Sequence, residues 1–374
     1  MGGNDARVGS ASLQHSQSGY LTIDLGALGR NYDQLSSVVA PAKAAAVVKA
    51  NAYGLGARQV ANALYERGCR NFFVAQFPEA LLLREFIAED ADIFVLNGLQ
   101  PGDEVACAEA DIVPVINSLE QWHQWSSAAR SAARRLPAVL QFDTGMSRLG
   151  LPPYEQAQLA GLIGVSGIDV RFIMSHLACA DDLDSLQNAD QLLEMQRLSD
   201  DFLGHDVSFA NSGGAFLGRS YHGALARPGI ALYGGAPSTG TKNPMEPVVS
   251  LDVAVVQTRV VPSGTKVGYG GVFVAGREMR LATIGAGYAD GLPRSLSDRG
   301  AVYYNGIRLP IVGRVSMDSI TIDISALPAT SITHGTLVEV LGPNQSLEDL
   351  ARDAGTISYE ILTGLGTRYH RQYR

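Results

Sequence analysis

The sequence predicts an α/β chain: an N-terminal (β/α)8 barrel of the TIM type, followed by a mainly β C-terminal domain. Three observations predict it. Between residues 44 and 237, eight short β-branched runs alternate with longer stretches whose apolar residues recur at helical spacing. At 234–247 (GGAPSTGTKNPMEP) glycine, proline, serine and threonine gather and the helical period stops. Beyond that point, strand-like runs succeed one another with turn residues between them. The 374 residues leave room for two or three domains at about 150 residues each.

Taken in order, residues 1–18 lack the apolar core of a signal peptide and read as a flexible arm. A strand at 20–25 and a helix at 27–40 precede the first repeating unit. The eight barrel strands are expected at 44–50, 71–76, 92–98, 112–117, 138–145, 169–176, 206–212 and 225–233. Ala80, Leu81, Leu83 and Phe86 mark one intervening helix, and Leu186, Leu192, Leu193, Met195 and Leu198 another. Eight such units in under 200 residues suit a closed barrel, with an open doubly wound sheet as the competitor. The second domain is expected to hold strands at 248–261, 266–274, 279–285, 301–304, 307–312, 318–324 and 336–341, with one short helix at 346–354. The resulting division is an arm at 1–18, a barrel at 19–240 and a β domain at 241–374.

Composition narrows the function classes. Lysine and arginine number 29 against 37 aspartates and glutamates, a net charge of −8, and such a field repels nucleic acid and anionic membranes. No apolar run approaches the ~18 to 20 residues of a bilayer span. Cys69, Cys107 and Cys179 are odd in number, widely spaced and without a CxxC, which argues against disulfides or a zinc site and fits a reducing cytoplasm.

In a barrel the chemistry sits at the C-terminal strand ends. The first ends in Lys49, where burial would favour the neutral amine that condenses with a carbonyl, although a lysine that merely reaches the rim stays solvated. The fifth runs into Arg148, able to clamp a carboxylate or simply to form a surface ion pair. The sixth ends in Ser175-His176, and a lone histidine there is often a satisfied core residue. The seventh and eighth supply Asn211-Ser212-Gly213-Gly214 and Arg227-Pro228-Gly229-Ile230, where barrels commonly build phosphate sites, although Ser-Gly-Gly alone is a turn. An amine, a phosphate cradle and two arginines on one rim suit a pyridoxal phosphate enzyme acting on an amino acid.

The motifs AVVKANAYGLGA (46–57), DTGMSRLG (143–150), SHLACAD (175–181), FANSGG (209–214), RPGIALYG (227–234), VGYGG (267–271), GYADG (287–291) and VGRVSMD (312–318) lie in matching order. With them the chain resembles the alanine racemase family from about residue 20 to the end. The resemblance implies a cytoplasmic homodimer in which the β domain of one subunit completes the barrel site of the other. It also implies pyridoxal 5'-phosphate as cofactor, alanine as substrate and D-alanine supplied for peptidoglycan. By position, Lys49 looks like the cofactor-bearing amine and Tyr269 like the second acid/base. Tyr53, Ser212, Gly229, Ile230 and Tyr359 resemble phosphate ligands, with Asn211 in the cofactor-binding set. Arg227 looks like the partner of the pyridine nitrogen and His176 like the residue that orients it. Arg148 and Met317 resemble substrate contacts, and Tyr288 and Tyr359 residues that narrow the entrance.

Two positions depart from the family pattern. Gln141 stands where a carboxylated lysine is frequent beside the substrate arginine, so Arg148 is expected to be oriented by that amide with a small anion such as chloride, or by a carboxylate from elsewhere in the chain. Ser316 replaces a frequent cysteine. Three other readings compete: a racemase of broader amino-acid range, a basic amino-acid decarboxylase on the same barrel, which Arg227 disfavours, and a noncatalytic cofactor carrier, which the second domain disfavours.

Overall fold

The computed structural model, which describes residues 18–163 and 166–374, has seven parallel strands in unbroken sequence order. They are Ala46–Val47, Asn71–Val74, Asp92–Val95, Val113–Ile116, Leu136–Gln141, Ile168–Met174 and Val207–Ser208. The short strand Leu225–Ala226 pairs in parallel with Lys43–Ala44. The backbone N–H of Ala45 donates to Ala226 and that of Val47 to Pro228, while the N–H of Arg227 reaches Ala210 on the other side at 2.8 Å. The eighth strand therefore lies between the first and the seventh and the ring closes, which removes every sheet edge. Buried apolar runs such as Phe72-Phe73-Val74 and Ile93-Phe94-Val95 follow from strands covered on both faces.

Helices return the chain between strands, and the helix ring explains the leading element. No helix follows the eighth strand before the chain leaves the barrel. The helix Leu25–Val39 instead packs beside the helix Ala57–Glu66 and the turn Gly214–Phe216, filling that place. In the helix Leu186–Asp201 the buried stripe is Asn188, Gln191, Met195 and Leu198, while Leu186 and Leu193, expected in the apolar stripe, face solvent. Polar groups take the N-terminal part of that stripe because they bond the loops beneath it: Asn188 donates to the Cys179 and Asp182 carbonyls, and Gln191 donates to the His176 carbonyl and accepts the Ala178 N–H.

The chain divides differently from the expectation of 19–240 and 241–374. One unit runs from Leu25 to Glu246, and the other joins the described residues up to Asp24 with Pro247–Arg374. Two local causes are visible. Asn31 exchanges two hydrogen bonds with the backbone of Glu246 (2.9 and 2.8 Å), and Arg30 pairs with the Glu246 carboxylate at 2.9 Å, holding the chain against the barrel to residue 246. The strand Gly19–Ile23 belongs to the other unit, antiparallel to Val249–Val261 and parallel to His370–Tyr373. Of the expected arm, residues 1–17 lie outside the described residues, whereas Ser18 donates from Oγ to the Gly285 carbonyl at 2.6 Å.

The second unit is built around the 13-residue strand Val249–Val261, which pairs with Gly19–Ile23, Met279–Ile284 and Leu337–Leu341. Ala301–Tyr304 and Ile307–Pro310 form a hairpin on Asn305-Gly306, both at positive φ as a tight two-residue turn demands. The expected strand 266–274 is interrupted. Lys266–Val267 and Phe273–Val274 pair with each other around a one-turn helix, Tyr269–Gly271, because Gly268, Gly270 and Gly271 all adopt positive φ. The helix Leu347–Ala354 is followed by a second helix, Ser358–Gly364, and a closing strand, His370–Tyr373, both beyond the sequence expectation.

Candidate active site

Lys49 stands just past the first strand, half-buried, at the head of an unusual turn. Ala50, Asn51, Ala52 and Tyr53 all take φ between 52° and 55°, the left-handed region that L-residues avoid. Burial lowers the Lys49 ammonium from its usual value, the positive charge of Arg148 lowers it further, and Glu79 opposes both. The amine is thus biased toward its neutral, nucleophilic form.

Beside it the seventh and eighth strand ends build an anion cradle. Ser212 is buried, and its Oγ accepts the N–H of Gly229 at 2.9 Å and of Ala231 at 3.3 Å. A Cβ on Gly229 would lie 2.3 Å from the Tyr53 hydroxyl, so only glycine lets that phenol rest against the backbone. The Tyr53 ring leans on Tyr233, whose hydroxyl donates to the Val47 carbonyl at 2.9 Å. The Ser212 and Tyr53 hydroxyls, with the Ile230 N–H, which donates to no group among the described residues, fit an anion of phosphate size. Ala231, next to the expected Ile230, is the residue whose N–H joins Gly229 at Ser212. The Asn211 side chain, expected in the cofactor-binding set, shapes the turn instead: it donates to the Leu177 carbonyl and accepts the Gly214 N–H.

Arg227 is 3% exposed and, among the described residues, has no carboxylate partner. Its Nη1 donates to Ser208 Oγ and its Nη2 to the Ser175 carbonyl, both at 2.6 Å. These two groups, rather than the His176 ring, hold the guanidinium, which corrects the expectation that His176 orients it. Burial pulls the Arg227 guanidinium down to about 9, still cationic at neutral pH. A buried cation without a protein anion is matched by a ligand acceptor. His176 is pushed down to about 3 by burial and by the charges of Arg227, Arg148 and Lys49, so its imidazole is neutral. Gln191, fully buried, donates to Thr144 Oγ1 and the His176 carbonyl and accepts the Ala178 N–H, tying the fifth and sixth loops together. A polar residue in a helix stripe was the one sequence signal for it.

Arg148 is exposed on a loop shaped by Asp143, whose Oδ1 accepts the N–H groups of Gly145, Met146 and Ser147. Gly150 closes the loop, since a Cβ there would lie 2.7 Å from the Asp143 nitrogen. Gln141 is buried, and among the described residues neither its amide nor any carboxylate bonds to Arg148, so the expected carboxylate orientation is not found within the chain. The guanidinium is left for an incoming anion.

The remaining predicted residues stand in the other unit. Tyr269 is 71% exposed at the glycine-flanked turn. Tyr288 and Met317 are exposed and lie on neighbouring segments, joined by bonds from Tyr288 N–H to the Ser316 carbonyl and from Ala289 N–H to the Met317 carbonyl, both 3.0 Å. Arg368 locks the same segments by gripping the buried Asp290 with two hydrogen bonds at 2.7 Å and Asp318 with one at 2.6 Å. Tyr359, exposed on the helix Ser358–Gly364, completes this set.

Among the described residues no cluster of three or more His, Cys, Asp or Glu side chains forms a metal site, and no helix is long and apolar enough to cross a membrane. The chain matches the alanine racemase N-terminal domain over residues 23–237 and the alanine racemase C-terminal domain over 248–373. It is 68% identical to a catabolic alanine racemase of Rhizobium johnstonii, covering 99% of this chain and 98% of that one. It is 59% identical to a catabolic alanine racemase of Agrobacterium fabrum over 99% and 95% of the two chains. The crystal structure of an alanine racemase from Bartonella henselae with covalently bound pyridoxal phosphate superposes with a TM-score of 0.93 at 44% identity, over 96% of this chain and 99% of that one. With both of its units matched and relatives this similar along nearly its whole length, this chain belongs to the alanine racemase family.

Proposed function

We propose that the protein interconverts L- and D-alanine, with pyridoxal 5'-phosphate carried on Lys49. One observation supports this most: an amine biased to its neutral form shares a rim with a phosphate-sized cradle and a buried arginine that lacks a carboxylate. Pyridoxal phosphate, when bound, supplies the electron-withdrawing ring that acidifies the amino-acid Cα–H.

The chain's own residues do the rest. Ser212, Tyr53, Gly229 and Ile230 hold the phosphate, the Ile230 N–H being the donor not already spent on Ser212, with Tyr359 as a further ligand. Arg227 keeps its proton at neutral pH and would offer an N–H to the pyridine nitrogen of the bound cofactor, a weaker activator than a carboxylic acid would be. Inversion at Cα removes a proton from one face and returns one to the other, so one acid/base is needed on each side. Lys49 Nζ serves one face and the Tyr269 phenol the other. Arg148 binds the alanine carboxylate with the Met317 backbone, and Tyr288 and Tyr359 narrow the entrance.

The assembly we propose is a homodimer in which Tyr269, Tyr288, Met317 and Tyr359 of one subunit face the barrel rim of its partner, within the cytoplasm. As to physiological direction, the names of the two relatives favour alanine catabolism over the peptidoglycan supply expected from the family resemblance. Deleting the gene should then abolish growth on one enantiomer of alanine as carbon source while sparing growth on the other and creating no D-alanine requirement, and a D-alanine requirement with growth on both enantiomers intact would restore the biosynthetic reading.

The deciding experiment is incubation of the purified protein with L-alanine in deuterated water. D-alanine formed with deuterium at Cα supports the proposal, and the same assay with serine, lysine and arginine reads the breadth of the pocket. Pyruvate without D-alanine would overturn it.

A further inference from the structure

The turn that carries Lys49 is held in part from outside its own strand. Four successive non-glycine residues, Ala50 to Tyr53, are left-handed, a conformation that L-residues avoid. Such a turn persists only where its surroundings fix it. Its own backbone bonds run from the N–H groups of Ala52 to Val48, Gly54 to Ala50 and Gly56 to Asn51, at 2.8, 2.8 and 2.9 Å, and Asn51 Oδ1 accepts the Ala57 N–H at 2.8 Å. The first peptide after the lysine is secured differently. The N–H of Ala50 donates to Glu79 Oε1 at 2.6 Å, while Glu79 Oε2 accepts the N–H groups of Ala75 and Gln76 at 2.9 and 3.0 Å. One carboxylate thus joins the exits of the first and second barrel strands, and it stands in the third position of the helix Phe77–Arg84.

We propose that Glu79 is a positioning residue for Lys49: its carboxylate pins the left-handed turn through Ala50 and supplies the negative charge that offsets Arg148 at the amine. The inference rests on the reading of Lys49 as the cofactor-bearing amine. Three charged or titratable groups act on that amine or respond to it: Arg148 from the fifth loop, Glu79 from the second, and His176 from the sixth. Of these only Glu79 is an anion. A glutamine in its place can still accept from one side, but its amide presents N–H to N–H at the other and carries no charge.

The test uses two readouts on the cofactor-free full chain and one on the holoenzyme. In Glu79→Ala, amide exchange in the 49–56 segment rises at least about tenfold while the other barrel strands are unchanged. In Glu79→Gln, acetylation of Lys49 by acetic anhydride, mapped by mass spectrometry, shifts its pH midpoint downward and is several-fold faster at pH 7. In the holoenzyme, Glu79→Gln lowers kcat about tenfold with the KM for alanine within twofold. Pro78→Ala loosens the start of the same helix and leaves the carboxylate in place, so it should move none of the three. An unshifted or upward-shifted midpoint in Glu79→Gln, or a Pro78→Ala protein that reproduces the Glu79 effects, overturns the proposal. Borohydride fixation of pyridoxal phosphate on the unaltered chain separates the two readings: label absent from Lys49 sinks the assignment of that lysine whatever Glu79 does.

Discussion

Arg227 donates to Ser208 Oγ at 2.6 Å, and the same hydroxyl donates onward to the Leu225 carbonyl at 2.6 Å. Ser208 therefore satisfies a buried charge and a buried backbone group at once. Ser208→Ala would leave Arg227 Nη1 and the Leu225 carbonyl without these partners, Nη2 staying on the Ser175 carbonyl, at a cost of about 1 to 3 kcal/mol for each buried group. The expected outcome is a lower urea midpoint with an unchanged m-value, together with weaker cofactor retention, read by unfolding curves with and without pyridoxal phosphate. A variant as stable as the parent would mean that Arg227 finds another acceptor.

The close approach of Gly229 to the Tyr53 hydroxyl gives a second expectation. Gly229→Ala places a methyl group 2.3 Å from that oxygen, and either the phenol or the N–H pair at Ser212 must move. Overpacking of this kind costs about 1 to 3 kcal/mol. Since both displaced groups belong to the anion cradle, cofactor affinity should fall by about 10- to 100-fold, measured by fluorescence titration of the cofactor-free protein. Gly213→Ala tests the cradle from its other side, because its Cβ would lie 2.4 Å from the Ala180 carbonyl.

His176 gives a pH dependence whose sign can be worked out. The folded chain holds the ring neutral down to about 3, whereas the unfolded chain protonates it near 6.5. Between those values the unfolded state binds a proton that the native state refuses, so stability falls as pH drops below 6.5. At pH 5 the loss from this one group is about 2 kcal/mol relative to pH 7.5. His176→Asn should remove that part of the slope, and urea unfolding of both proteins at the two pH values measures it. Equal slopes would show that the ring protonates freely in the native chain.

The barrel and the residues on its rim were legible because each strand end is a local feature. Lys49, Arg148, His176, Ser212 and Arg227 stand at or just past the strand ends, where packing alone would not select them. What could not be read was set by partners distant in sequence. The strand Gly19–Ile23 looks like the start of a barrel, yet its buried Leu21 and Ile23 find cover in strands more than 220 residues away, which no local period records. Tyr269 was read within a strand because valine and phenylalanine flank it, although the glycines on either side mark the turn that frees its side chain. Arg227's anchors were missed for a similar reason: one is a backbone carbonyl, invisible in sequence, and the other a serine inside a short strand. Glu79 followed an ordinary helix-start pattern, and only the fold shows that its second oxygen serves another loop.

The last prediction concerns whether the two proposed acid/base groups, Lys49 and Tyr269, come from different chains. Tyr269, Tyr288, Met317 and Tyr359 present four large, exposed side chains on one unit, and exposed apolar groups of this kind are common where another surface covers them. If a partner's barrel covers them, each working site needs Lys49 from one chain and Tyr269 from the other. Lys49→Ala and Tyr269→Phe should each be nearly inactive alone, the second by about 100- to 10,000-fold in kcat with its cofactor still bound. Co-expressed with different tags and isolated as a mixed pair, the two variants contain one site with both defects and one with neither. Activity should return to about half that of the parent, as twofold symmetry requires. Were both groups drawn from the same chain, every site in the mixed pair would lack one of them, and the recovered activity would stay at the level of the single variants.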